Sequence, residues 1–245
     1  MVLPGFGVAR MTGSDQSTDT HPLNWRDGVP VSTRFDDPYF SLHGGLAETG
    51  HVFHTGNDLP NRLRDGFHIA ELGFGTGLNL LATAALAHSS GFSGTLRYTS
   101  FEAFPLATQD LATALSPFPS LAALAETFLT QWAEGRRTIR LPGVNAEIII
   151  GDARATLAPW QGRADAWFLD GFSPAKNPEL WSEPLLSEVA RHTAPSGTFA
   201  TYTAAGHVRR ALQSAGFQVE RRPGYGHKRH MSAGVLPKVL PRMLP

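Results

Sequence analysis

An α/β fold, with helices on both faces of a mostly parallel sheet, is what this sequence predicts, and three observations carry it. From residue 67 onward, short β-type runs alternate with Leu- and Ala-rich segments of helical length. The first of these runs leads directly into a glycine turn, Gly73-Phe-Gly75-Thr-Gly77. The chain has 245 residues, 42% hydrophobic and 17% charged, enough for one large domain with an apolar core. Alternation of this length means βαβ units, whose right-handed crossovers place helices on both faces.

Residues 1–22 are rich in Gly, Ser, Thr and Asp without periodicity, which predicts a disordered extension. Residues 23–60 are expected to form a small N-terminal β-element or lid. Short strands and turns are read over 29–55, from Val29-Pro-Val-Ser32 through Phe35-Asp-Asp-Pro-Tyr39-Phe40 to Gly44-Gly45. The main domain is placed at 61–236. Its strands are read at Phe67–Gly73, Leu96–Ala103, Ala146–Ile150, Ala164–Asp170, Gly197–Thr203, Phe217–Arg221 and His230–Leu236. Between them, apolar spacing predicts helices at Leu78–His88, Leu106–Leu115, Leu121–Glu134, Ala153–Trp160, Glu179–His192 and Ala204–Ala215. Residues 237–245 read as a tail.

Composition narrows the function classes. No apolar run approaches the roughly 20 residues that span a bilayer, and no signal-peptide pattern opens the chain. The absence of cysteine removes disulfide scaffolds, thiolate metal sites and cysteine nucleophiles. His51, His54, His227 and His230 lack convincing metal-ligand spacing, so no metal is expected. Neither a P-loop nor a G-x-S-x-G elbow is present. A cytoplasmic enzyme with no membrane partner fits. Net charge is zero, yet the charge is unevenly spread: residues 201–245 hold eight Lys or Arg against Glu220 alone. Such a basic end can orient an anionic partner, or be ordinary solvated surface.

In open α/β sheets, ligands sit beyond the C-terminal strand ends. The first end reads Glu71-Leu-Gly73-Phe-Gly75-Thr76-Gly77-Leu-Asn79. The glycines permit close backbone approach to a ligand, and the next helix offers free N–H groups. Its G-x-G-x-G spacing departs from the G-x-G-x-x-G dinucleotide fingerprint. An acid two residues ahead of the first glycine repels pyrophosphate but suits an ammonium group. The pattern therefore favours S-adenosylmethionine over NAD. Glu102 ends the next strand, where a carboxylate can accept from ribose hydroxyls. Asp152 ends another, as an adenine contact, a helix N-cap, or both.

The fourth end is the most distinctive: Phe168-Leu-Asp170-Gly-Phe172-Ser-Pro-Ala-Lys176-Asn177-Pro-Glu-Leu-Trp181. Asp170 falls at the strand tip and is the candidate catalytic group, accepting an acceptor N–H and helping remove its proton. Tyr39 and Phe172 are candidates to bracket cofactor or base. Lys176, Asn177, Arg209, Tyr225, Lys228 and Arg229 are candidate RNA contacts, by phosphate pairing or base stacking.

On these residues the sequence resembles the methyltransferase domain of the MnmC family of tRNA-modifying proteins. The likeness runs in order over about residues 23–236. It rests on Glu71–Asn79, Phe101–Pro105, Asp165–Trp181, Ala204–Gly216, Gly224–Met231 and the opening Pro30–Ser41, with the Asp170 loop its most specific part. The resemblance implies a class I, Rossmann-like methyltransferase fold with a seven-stranded sheet and S-adenosylmethionine as donor. The substrate it implies is a wobble uridine in the tRNA anticodon loop, whose 5-aminomethyl group on 2-thiouridine becomes 5-methylaminomethyl. Larger members add an FAD-dependent domain. No flavin fingerprint follows residue 236, so no FAD is expected in this chain, and the preceding oxidation falls to a separate or fused oxidase; oligomeric state is left open. Leu72 departs from the small residue usual there. Two other readings remain: a methyl- or aminopropyl-transferase acting on a small amine, and a non-catalytic RNA-binding module of the same fold.

Overall fold

The structure, a computed structural model, describes residues 23–41 and 44–238. The predicted N-terminal extension and most of the predicted tail lie outside these residues. The described chain begins with a three-stranded antiparallel sheet, β1 (Leu23–Arg26), β2 (Val29–Ser32) and β3 (Asp37–Pro38). Helical chain follows: α1 (Gly45–Thr49), a π-helical segment (Gly50–Thr55) and α2 (Leu59–Arg62). The strand reading of residues 45–55 is thereby corrected. Glu48, Thr49, Val52 and Phe53 are all buried, a helical three-to-four spacing that alternation cannot produce.

The remaining elements alternate. In chain order they are β4 (His68–Leu72), α3 (Leu78–Ser89), β5 (Leu96–Glu102), α4 (Thr108–Leu115), α5 (Ala122–Ala133), β6 (Thr138–Leu141), β7 (Val144–Ile150) and α6 (Ala153–Thr156). After these come β8 (Ala164–Leu169), α7 (Glu183–Arg191), β9 (Thr193–Thr201), α8 (Gly206–Ser214), β10 (Gln218–Pro223) and β11 (His230–Val235). The sheet has eight strands in the order β10-β11-β9-β8-β4-β5-β7-β6. The five central strands are parallel, and an antiparallel hairpin closes each edge.

The expected count of seven is corrected by β6. It pairs with β7 across a tight turn at Pro142-Gly143, with Gly143 at φ +72°. The predicted long helix at Glu179–His192 is also divided. A 3-10 turn at Pro178–Trp181 precedes α7, because Pro184 takes an early helical position and Ser182 is extended.

Two cores flank the sheet, because alternate residues of a strand buried on both faces point opposite ways. Ile69, Tyr98 and Phe168 pack toward Leu80, Leu81 and Phe128 of α3 and α5. Ala70, Leu72, Trp167 and Leu169 pack toward Leu185, Val189, Val208 and Leu212 of α7 and α8. The helical segment before β4 is bolted to the sheet by Asn57, which is 1% exposed. Its amide donates to the carbonyls of Phe53 (3.0 Å) and Trp167 (3.3 Å), and its oxygen accepts from the Thr198 hydroxyl at 2.6 Å. This bolt fixes where α1 meets the sheet. Asn57→Ala is expected to lower stability by about 2 kcal/mol, since it leaves buried partners unpaired. The urea midpoint, with an unchanged m-value, checks this.

Candidate active site

Strand order reverses at β4, whose neighbours are β5 on one side and β8 on the other. A cleft opens at the C-terminal ends of these strands, as expected at such a switch point. Its volume is about 770 Å³, within the range that holds a cofactor-sized molecule.

The glycine turn shapes one wall. Gly73 has φ +89°, and a Cβ there would lie 2.1 Å from the Asp170 carbonyl oxygen. Only glycine lets the β4 and β8 ends pass this closely. Gly75, at φ +54°, faces Tyr39, whose ring would lie 3.1 Å from an added Cβ. Glu102 holds the turn from below. One carboxylate oxygen accepts from Gly75 N–H at 2.9 Å and the other from Phe104 N–H at 2.6 Å. Burial raises the Glu102 pKa, and the backbone N–H groups oppose that rise.

Asn79, in the first turn of α3, links the centre of the site. Its Oδ1 accepts from the Thr49 hydroxyl at 2.8 Å. Its Nδ2 donates to Glu71 at 2.8 Å and to Asp170 at 2.7 Å. The second Glu71 oxygen accepts from Ser100 Oγ at 2.7 Å. Burial pushes the Glu71 pKa up to about 8 and that of Asp170 up to about 7. The Asn79 amide pulls both down, while nearby Glu48 raises Asp170 and Lys228 lowers it.

Other groups complete the cleft. Asp152 caps α6 by accepting from Arg154 N–H at 2.9 Å and also grips the Arg154 guanidinium. That hydrogen bonding holds its carboxyl below the usual range. The N-terminal sheet supplies an aromatic wall: Phe35 stacks on Phe172 at 4.8 Å, and Tyr39 meets Phe172 edge-on at 5.0 Å. Arg34 lies over the Phe104 ring at 4.6 Å. Carboxylates lining the cleft outnumber Lys and Arg.

Of the residues singled out in the sequence, Tyr39, Gly73, Gly75, Thr76, Asn79, Glu102, Asp152, Asp170, Phe172, Lys176, Asn177 and Lys228 all line this cleft. Glu71 does not, which corrects its placement against a ligand ammonium. It is fully buried behind Asn79 and acts on the cleft through that amide. Gly77 caps α3 and faces Phe74 and Phe128 rather than the cleft. Arg209, Tyr225 and Arg229 fall outside the lining: Arg209 is on α8, and the Tyr225 ring lies 5.9 Å from that of His51. Lys176 is tied to Asp36 and Asp37 of the N-terminal sheet, so it fastens the aromatic wall. Sequence reasoning missed Phe35, Glu48, Thr49 and Tyr202. Only Phe35 carried a signal, as part of an aromatic cluster beside Tyr39.

This arrangement fits a cationic ligand without phosphate. The glycine turn is lined by Glu102 and Asp170 rather than by basic groups, and the aromatic wall offers a face to a planar ring. Comparison with known proteins agrees. Residues 119–237 match a family of S-adenosyl-L-methionine-dependent methyltransferases. The tRNA 5-methylaminomethyl-2-thiouridine biosynthesis bifunctional protein MnmC of Caulobacter sp. (strain K31) is 47% identical over 232 residues, covering 89% of this chain. The chain spans 39% of that relative's length. The crystal structure of MnmC2 from Aquifex aeolicus superposes with a TM-score of 0.70 at 24% identity, covering 88% of this chain and 69% of that one. The fold is that of a class I S-adenosyl-L-methionine-dependent methyltransferase.

The two raised carboxyls make stability depend on pH in a defined direction. Between their ordinary values of 3.8 and 4.5 and the raised values near 7 and 8, the folded chain holds protons that the unfolded chain releases. Their contribution is present below about pH 4 and is lost as pH rises toward 8. Glu71→Gln keeps the Asn79 contact through its oxygen and reverses the Ser100 contact, whose hydroxyl can accept from the new amide, without a titrating proton. It is expected to reduce the stability loss between pH 5 and pH 8 by on the order of 1–3 kcal/mol, read from denaturant midpoints at the two pH values.

Proposed function

We propose that this chain, a methyltransferase related to MnmC, methylates the 5-aminomethyl group of 5-aminomethyl-2-thiouridine at the wobble position of tRNA, giving 5-methylaminomethyl-2-thiouridine. The observation that carries this reading is Asp170. It is a half-buried carboxyl at the cleft floor whose pKa is raised to about 7, in a chain 47% identical to MnmC.

S-adenosyl-L-methionine, when bound, supplies an electrophilic methyl group. The residues assigned to hold it are Gly73, Gly75 and Thr76 of the turn, Glu102 toward the ribose, Asp152 toward the adenine, and Phe172 and Tyr39 on the ring faces. An alkylammonium has no lone pair, so the acceptor nitrogen must lose a proton before it can react. Asp170 is assigned that proton. Its Oδ2 is held by Asn79, which leaves Oδ1 for the acceptor N–H. A carboxyl with a pKa near the working pH is suited to this exchange. Holding the acceptor at the strand tip also removes much of the entropy of encounter. The anticodon loop presents a base that can be splayed out of its stack. The basic groups around the β10–β11 turn, His227, Lys228 and Arg229, are assigned to the RNA backbone.

The deciding experiment is mass spectrometry of wobble nucleosides in tRNA bearing the aminomethyl group, before and after treatment with the pure protein and donor. No mass gain of one methyl at that nucleoside would sink the reading. Asp170→Asn is expected to lower kcat about 100-fold and to abolish the rise in kcat around pH 7, with donor affinity retained by calorimetry. Gly75→Val places a branched side chain at positive φ against Tyr39 and is expected to weaken donor binding about tenfold or more in the same calorimetric assay.

A further inference from the structure

We infer that Glu48 and Tyr202 form a binding subsite for a primary alkylammonium group, and that Lys228 occupies it until an acceptor amine displaces it. The identity of that acceptor rests on the proposed function; the subsite rests on its own geometry. The Lys228 side chain is itself a primary alkylammonium. Its Nζ lies 2.7 Å from Glu48 Oε1 and 4.2 Å from the centroid of the Tyr202 ring. A carboxylate on one side and an aromatic face on the other is the arrangement that recognises such a cation.

The two partners are unequally committed. The Glu48 side chain is 11% exposed, whereas that of Lys228 is 45% exposed. A carboxylate this buried is costly to leave unpaired, so the subsite requires a cation. It does not require this particular cation, since a half-exposed lysine can regain water or pair elsewhere. Lys228 stands on the β10–β11 turn beside His227 and Arg229, where a phosphate can take its charge.

The subsite is rigid and belongs to the cleft. The Tyr202 hydroxyl donates to the Gly171 carbonyl at 2.7 Å, which fixes the ring next to the Asp170 strand tip. Burial and the surrounding Asp170, Asp37 and Glu48 raise the Tyr202 pKa, so the ring remains neutral. Glu48 adjoins Thr49, whose hydroxyl is bound to Asn79. An ammonium held by Glu48 and Tyr202 therefore arrives beside the Asn79–Asp170 pair.

The test uses the full chain and two probes, propylammonium chloride and the nucleoside 5-aminomethyl-2-thiouridine, neither of which carries a phosphate. Lys228→Met empties the subsite of its resident amine and is expected to tighten propylammonium binding several-fold by calorimetry. Glu48→Gln is expected to weaken it about tenfold or more, as loss of a charge-assisted contact implies. Tyr202→Leu, which leaves the Glu48–Lys228 pair in place, should also weaken it, and it serves if Glu48→Gln fails to fold. In the wild-type protein, propylammonium should shift the Lys228 Cε resonance. The inference is overturned if Lys228→Met shows no saturable propylammonium binding, or if neither Glu48→Gln nor Tyr202→Leu alters it. Methylation of the nucleoside is scored separately. Glu48-dependent propylammonium binding without methylation leaves the subsite standing and removes the proposed acceptor. Methylation with a KM indifferent to Glu48 does the reverse.

Discussion

The side-chain amide of Asn79 has one acceptor and two donors, and all three are committed: Thr49 to the oxygen, Glu71 and Asp170 to the nitrogen. A hydroxyl that donates can be met only by the amide oxygen, so the orientation of the amide is fixed and the nitrogen must face the two carboxyls. One neutral group thus joins the helical segment before the sheet to the ends of β4 and β8. It also sets the electrostatics. Two carboxyls sharing one neutral donor in a buried site resist joint ionisation. The more deeply buried, Glu71, is raised to about 8, and the one at the cleft, Asp170, to about 7. Of the two, only Asp170 lines the cleft, so it is the one that a ligand there can reach.

Much of this was legible in the sequence because strand ends are legible. Alternating runs identify the strands, and the strand-end rule then points to Glu71, Glu102, Asp152 and Asp170. Three of the four line the cleft. Glu71 fails for a reason of period: it shares a strand face with Ile69, which packs toward α3, so its side chain enters the helix layer beneath Asn79. β6 also left a trace. Ile139 and Leu141 are buried and Thr138 and Arg140 exposed, ahead of a Pro-Gly turn, which is the pattern of a hairpin. Glu48 and Tyr202 left none. Each is an isolated residue whose partner, Lys228, stands 180 positions from Glu48 and 26 from Tyr202, and only the fold brings the three together.

The N-terminal sheet shows how a small element can be essential to a site without belonging to the main sheet. It contributes Phe35 and Tyr39 to the aromatic wall, and it is fastened to the Asp170 loop at both backbone and side chain. Ser173 N–H donates to Asp37 at 2.8 Å, and the Lys176 ammonium is bound by Asp36 and Asp37. The distinctive Pro- and aromatic-rich loop therefore has two separable duties. Its first residue, Asp170, faces the cleft, while Ser173 and Lys176 hold the wall. The loop joins β8 to the 3-10 turn before α7, and Ser173 and Lys176 are the groups that tie it to the N-terminal sheet.

The charge of the cleft follows from the same economy. Lys176, Lys228 and Arg154 each line it with their charge already matched, by Asp36 and Asp37, by Glu48, and by Asp152. Among the described residues, Glu102 and Asp170 form no ion pair and are held instead by neutral N–H donors. Neutral donors stabilise a carboxylate without cancelling its field, so the wall that carries the glycine turn remains attractive to cations. A pyrophosphate at that turn needs free N–H groups, and the one at Gly75 is already held by Glu102. A sulfonium donor and an amine acceptor meet no such conflict. A strand-end carboxylate is common to dinucleotide and methyl-donor sites, so the discrimination between these ligand classes lies in the spacing of the glycines and in the turn N–H that Glu102 occupies.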